Sequence, residues 1–224
     1  DGFDFPIWTK NGPSTIAELT PTAKTFVEDT DYIVSQFSGG GDVTAKVIPT
    51  NDIQVPPSGG PGTGTSGCEP ADFPATVAGN IALVQRGTCP FVQKYANAKA
   101  AGATAALLMN DGFPGRVDPL AITAPVNIGI PTVMISSTIG EAMYAEAQAG
   151  DVTAQVKVDA TTTPNTEYNV IADSPFGKKD RTILVGAHLD SVDEGAGIND
   201  NGSGTAALIE MAEEIAESKQ RPRN

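Results

Sequence analysis

Apolar and polar positions fall into blocks along the middle of the chain, and the period changes from block to block. Residues 81–85 (IALVQ) form a continuous apolar run of strand length. Beyond Pro90 the pattern turns helical: Phe91, Tyr95 and Ala98 fall at i, i+4 and i+7 and share a face, Pro90 suits the first helical position, and Gly102 supplies the stop. ATAALLMN (103–110) and PTVMIS (131–136) read as buried strands. STIGEAMYAEAQ (137–148) reads as a helix opened by Ser137 as cap and closed by Gly150, and VTAQVKV (152–158) as a half-buried alternating strand. Upstream, YIVSQF (32–37) and DVTAKVI (42–48) flank Ser38-Gly39-Gly40-Gly41, which predicts a hairpin. Residues 1–34 begin with Phe3, Phe5, Ile7 and Trp8 in strand fashion and then lose any strong period.

Residues 54–67 are Gly- and Pro-rich and are expected to form a surface loop. Gly62, Gly64 and Gly67 within it satisfy G-x-G-x-x-G. That fingerprint needs a strand before it and a helix opening after it, and Cys68-Glu69-Pro70 follows instead, so the match is accidental. After a Thr-rich linker at 161–164 the texture changes again. EYNVIADS (167–174) and RTILVGAHLDS (181–191) read as strands, with a turn at 175–180 between them and a helix starting near Gly204. Ala207, Leu208, Met211 and Ile215 give that helix an apolar face; Glu210, Glu213, Glu214 and Glu217 face solvent, and Pro222 ends it.

Composition narrows the partners. Fourteen Lys and Arg against 27 Asp and Glu leave a net charge of −13, which excludes nucleic acid, since phosphate binding needs a basic face. No apolar run is long enough to span a membrane. Residues 1–10 lack the basic and apolar segments of a signal peptide, so any leader is expected to have been removed. Cys68 and Cys89 stand 21 positions apart, with no C-x-x-C and no second pair for a zinc site. They read as one disulfide formed in an oxidising compartment, with two unrelated buried thiols as the alternative. The single histidine, His188, rules out H-E-x-x-H, which needs two.

His188 stands at the end of an apolar run, followed by the acid- and glycine-rich loop LDSVDEGAGINDNGSG. In an open α/β sheet that end of a strand is where ligands sit. Asp190 lies two residues on, the same side of an extended chain, and Asp200 stands between Asn199 and Asn201 just ahead of the helix. Imidazole nitrogen with carboxylates is zinc chemistry. A carboxylate has two oxygens, so Asp200 can bridge two metals roughly 3.5–4 Å apart while Asp190 orients the imidazole. The alternative is a histidine whose hydrogen bonds are purely structural.

VGAHLDSV followed by GINDNGSGTAALIEMA resembles the first metal motif of the secreted di-zinc aminopeptidases of metallopeptidase family M28, of the leucine aminopeptidase and aminopeptidase Y type. GCEPADFP and GNIALVQRGTCPFVQKYANAKAAGATAALLMND resemble the protease-associated (PA) domain inserted in some of these enzymes. The resemblance implies an α/β fold: part of a zinc-peptidase mixed sheet with flanking helices, interrupted by an α+β PA domain. Residues 1–29 would be an N-terminal piece of the peptidase, 30–160 the PA domain, and 161–224 the first metal-motif segment. His188 would be a terminal ligand of one zinc, Asp200 the ligand shared by two zinc ions, and Asp190 the catalytic acid beside His188. Peptide or protein N-termini would be the substrates, and the location extracellular. The family's Glu pair, further Asp and second His have no counterpart in these residues, so the chain alone is expected to be inactive, with the remainder of its own polypeptide as a partner. Two other readings are a PA binding or sorting module with a non-catalytic peptidase remnant, and a related zinc carboxypeptidase.

Overall fold

The computed structural model describes residues 2–123, 127–191 and 195–218. They divide into two compact units, one spanning Gly2–Glu167 and the other beginning at Tyr168. The expected helix stop at Pro222 and part of the acidic loop, residues 192–194, lie outside the described residues.

The first unit is built on an eight-stranded mixed sheet. Its centre is parallel: β7 (Ile81–Gln85) lies between β6 (Gly41–Pro49) and β8 (Ala105–Met109), and β9 (Thr132–Ile135) follows β8. All residues of β7, β8 and β9 are buried, as expected for parallel strands covered on both faces. Alternate side chains feed two cores. Ile81, Leu83, Ala105, Leu107, Met109, Val133 and Ile135 pack on the side of α2 (Ser137–Ala149), with Met143. Ala82, Val84, Ala106, Leu108 and Met134 pack on the side of α1 (Phe91–Ala100), with Tyr95 and Ala98.

The antiparallel flank runs from β6 through β10 (Thr153–Val158) and β3 (Thr15–Thr20) to β4 (Lys24–Thr25). In β10, Ala154, Val156 and Val158 are buried and the residues between them are not, which is the alternation the sequence predicts. β3 and β4 belong to the segment read as a peptidase piece, yet they are strands of this sheet, and Ile16 sits in its core. Two short ribbons pair β2 (Ile7–Lys10) with β11 (Ala160–Thr163), and β1 (Gly2–Asp4) with β12 (Thr166–Tyr168). The Trp8 indole donates to the Ser38 carbonyl at 2.9 Å.

The predicted hairpin at 38–41 does not form. β5 (Tyr32–Val34) pairs antiparallel with β9 at the far edge, and β6 lies between β10 and β7. The glycines serve close approach instead. A Cβ at Gly39 would stand 2.6 Å from the Ile130 amide nitrogen, and one at Gly40 2.5 Å from the Ala160 carbonyl oxygen. The cap of α2 is one residue earlier than expected: the Ser136 hydroxyl accepts from the Ile139 N–H at 3.3 Å.

Cys68 and Cys89 are disulfide-bonded, with Cα atoms 5.7 Å apart. The bond pins the end of the 54–67 loop to the start of α1. Polar side chains beneath it add to the hold: the Thr50 and Ser66 hydroxyls meet at 2.7 Å, and the buried Gln85 amide exchanges hydrogen bonds with the Gln54 main chain at 2.9 and 3.0 Å. Asp111, also buried, accepts from Arg116 and from the Gly62 N–H. Burial alone would raise its pKa, but these donors outweigh it and hold the carboxyl below its ordinary value.

In the second unit, α3 (Ser203–Glu217) forms as predicted. The two predicted strands do not, apart from the β12 residues at the start of the first. Val170, Ile183, Leu184 and Leu189 are exposed. A strand exists only when a neighbour takes up its N–H and C=O groups, and no described strand pairs with 169–191. The apolar face of α3 is likewise uncovered among the described residues: Met211 and Ile215 are exposed.

Candidate metal site

The second unit contains a concavity of about 560 Å³ lined by His188, Asp190, Ser191, residues 195–199 and Asp200. All three residues singled out from the sequence therefore stand in one place. The His188 imidazole lies between the two carboxylates: Nδ1 is 3.2 Å from Asp190 Oδ1, and Nε2 is 3.0 Å from Asp200 Oδ1. Nδ1 also reaches the Asp190 carbonyl at 3.1 Å. That carbonyl raises the His188 pKa above its ordinary value; desolvation opposes it, and the charges of Asp190 and Asp200 add to the rise.

Local backbone chemistry brings Asp200 back to His188 across eleven intervening residues. Gly197 adopts a left-handed conformation (φ 61°, ψ 23°), and a Cβ there would stand 2.7 Å from the Ser191 side chain. The Gly202 N–H closes the turn onto the Gly197 carbonyl at 2.8 Å. Asn201 Oδ1 accepts from the Gly204 N–H at 3.1 Å, occupying one of the free donors at the start of α3. The Thr205 hydroxyl donates to the His188 carbonyl at 3.1 Å and so ties the histidine to the first turn of that helix. The Asp200–Asn201 peptide is cis.

The supporting roles of Gly197, Asn201 and Thr205 escaped the sequence reading. An asparagine three residues before a glycine at a helix start is the signal for Asn201; the Thr205 contact spans 17 positions and leaves none.

The donor set suits a divalent cation of zinc type. His188 Nε2 and Asp200 Oδ1 lie 3.0 Å apart, Asp190 stands beside the opposite ring nitrogen, and the side chains are open to solvent. Among the described residues no group of three or more His, Cys, Asp or Glu side chains is arranged to hold a metal ion.

Residues 43–143 match the PA domain, and residues 169–224 match peptidase family M28. Among the relatives, an aminopeptidase of Pseudomonas aeruginosa is 38% identical over 219 residues, covering 96% of this chain and 40% of that protein. A probable lipoprotein aminopeptidase of Mycobacterium tuberculosis, LpqL, is 36% identical over 187 residues, covering 80% of this chain and 36% of that one. In structure the chain is similar to an aminopeptidase from Aneurinibacillus sp. strain AM-1, with a TM-score of 0.67 and 30% identity over 94% of this chain and 47% of the other. A zinc aminopeptidase from Bacillus subtilis aligns with a TM-score of 0.50 and 25% identity, over 97% of this chain and 48% of that one. The chain thus spans less than half the length of each of these proteins. No helix among the described residues is long and apolar enough to cross a membrane.

Proposed function

We propose that this chain is the PA-domain-bearing part of a secreted, zinc-dependent aminopeptidase that removes N-terminal residues from peptides. The observation that carries the reading is the 3.0 Å approach of His188 Nε2 to Asp200 Oδ1, within the segment matching family M28. The names of the relatives favour an aminopeptidase over a carboxypeptidase. A binding module that had lost its peptidase role would have no reason to keep both donors in register. The disulfide supports an oxidising, extracytoplasmic location. At the level of sequence, residues 1–29 and 161–224 flank a PA domain at 30–160, with β3 and β4 of the first piece completing that domain's sheet.

Each residue has a definite task. Asp190 accepts a hydrogen bond from His188 Nδ1–H, through its carboxylate and its carbonyl, which leaves Nε2 as the ring nitrogen for a metal. Asp200 presents one oxygen beside Nε2 and has a second carboxylate oxygen, so it would be the ligand shared by two zinc ions. Zinc, when bound, acidifies water and polarises a scissile carbonyl. The surrounding carboxylates also favour the charged amino terminus of a peptide over its carboxylate end.

A catalytic zinc takes three protein ligands and keeps an open position. The described residues offer fewer, so in this reading the remaining ligands and the general base come from further sequence of the same polypeptide, and residues 1–224 alone are expected to be inactive. Hydrolysis of an aminoacyl p-nitroanilide tests this. Activity is expected from a longer polypeptide that contains the rest of the peptidase and not from residues 1–224. Zinc-dependent turnover by residues 1–224 alone would overturn the assignment.

A further inference from the structure

Lys94 is wholly buried, yet its ammonium faces no carboxylate at contact distance among the described residues. Its Nζ donates to the Ser66 carbonyl and lies 3.6 Å from Cys68 Sγ. The Thr88 hydroxyl stands 3.7 Å from the same sulfur. Asp52 and Asp72 act on the ammonium only from a distance, and burial lowers its pKa to about 8. A buried cation of this kind gains most from an anion formed beside it.

The two sulfurs of the disulfide are not equivalent. Cys68 is buried and Cys89 half-buried, in a segment between exposed Thr88 and exposed Pro90. The Cys68 main chain is held at three points. Its N–H donates to the Thr65 carbonyl at 2.8 Å, and its carbonyl accepts from Gln93 Nε2 at 2.9 Å and Asn97 Nδ2 at 2.8 Å. If the disulfide opens, the Cys68 sulfur therefore stays beside Lys94 while Cys89 faces solvent.

We propose that the Cys68–Cys89 disulfide is a site of reversible S-thiolation, with Cys89 the sulfur attacked and Cys68 the leaving group. A low-molecular-weight thiolate attacks Cys89 Sγ, a new sulfur–sulfur bond forms there, and the Cys68–Cys89 bond breaks with its electron pair going to Cys68 Sγ. The thiolate charge passes from the incoming sulfur to Cys68, where Lys94 and Thr88 receive it, and no other oxidant or reductant is consumed. Loss of the incoming group by the reverse attack of Cys68 restores the disulfide. Stabilising the leaving thiolate makes the bond easier to open than a disulfide in neutral surroundings. The proposal is independent of the metal site.

Equilibration of the 224-residue chain with glutathione, followed by acid quench, iodoacetamide and peptide mapping, tests it. The wild-type chain is expected to carry glutathione on Cys89 and carbamidomethyl on Cys68; the reverse distribution would overturn the direction of attack. In Lys94→Met, similar in length and uncharged, the equilibrium constant for opening is expected to fall at least tenfold; an unchanged constant would overturn the role of Lys94. The mapping on wild-type protein stands even if the variant fails to fold.

Discussion

Gly140 is the point at which α2 touches the central sheet. A Cβ built there would lie 2.3 Å from Met109 Cβ, 2.7 Å from its Sδ and 2.9 Å from its Cγ. Two opposing effects act on Gly140→Ala. Helix propensity favours alanine by about 1 kcal/mol. The clash opposes it, and because both Cβ atoms are fixed to their backbones, no rotamer change relieves the shortest contact. Ordinary Cβ contacts begin near 3.4 Å, so α2 must move from β8 by roughly an ångström. That shift disturbs Ser137 and Met143, which are buried on the same helix. Overpacking of this kind costs about 1–3 kcal/mol, and the loosened helix contacts place this site at the upper end. The net expectation is a loss of about 1–2 kcal/mol, or roughly 2–8 °C in Tm for a unit of this size. Urea unfolding followed by tryptophan fluorescence measures it cleanly, because the chain has one tryptophan, Trp8, and it packs on the first unit's core. Gly150→Ala is the control, since a Cβ there meets nothing within 4 Å and the residue is extended (φ 175°). If Gly140→Ala proved as stable as the wild type, the packing account of α2 on β8 would be wrong.

Replacing both Cys68 and Cys89 by serine frees a loop closed by a 21-residue separation and is expected to cost about 3 kcal/mol by the chain-entropy estimate, read as a lower urea midpoint; a change under 1 kcal/mol would contradict it. Tyr95→Phe removes the hydroxyl that meets Ser35 Oγ at 2.8 Å in the α1-side core, and a loss of about 1–2 kcal/mol is expected in the same assay. Glu18 is buried on β3 beside Glu146 and Lys24, and burial, then Glu146, raises its pKa above 4.5. Its favourable contribution is therefore present in the protonated form below pH 4.5 and is lost as pH rises through the raised value. Glu18→Gln should gain about 1 kcal/mol near pH 7, with the gain shrinking toward pH 4; a gain that grew on acidification would refute the sign.

What could be read from the sequence follows from where the determining contacts lie. The strands at 81–85, 105–109 and 132–135 were legible because apolar runs bounded by Gly, Pro or Asn leave little choice of structure. Ser38-Gly39-Gly40-Gly41 carries the same letters as a hairpin turn, but its glycines answer to backbone approach by Ile130 and Ala160, some 90 and 120 positions away. The run at 181–191 has strand composition without a paired neighbour, so pattern alone could not make it a strand. At the site, His188 and Asp190 were legible from spacing, whereas the return of Asp200 to Nε2 depends on Gly197 and the turn onto Gly202. Lys94 was legible in principle: it stands three residues after Phe91 and four before Ala98, on the face that packs inward.

If His188 and Asp200 hold the metal of the peptidase, as proposed, zinc content shows it most directly. The longer polypeptide would be dialysed against metal-free buffer, reloaded with zinc and analysed by mass spectrometry as wild type, His188→Ala and Asp200→Asn. Two zinc ions per wild-type chain are expected, with loss of at least one in His188→Ala and weakened retention of both in Asp200→Asn. Two firmly held zinc ions in both variants would contradict it.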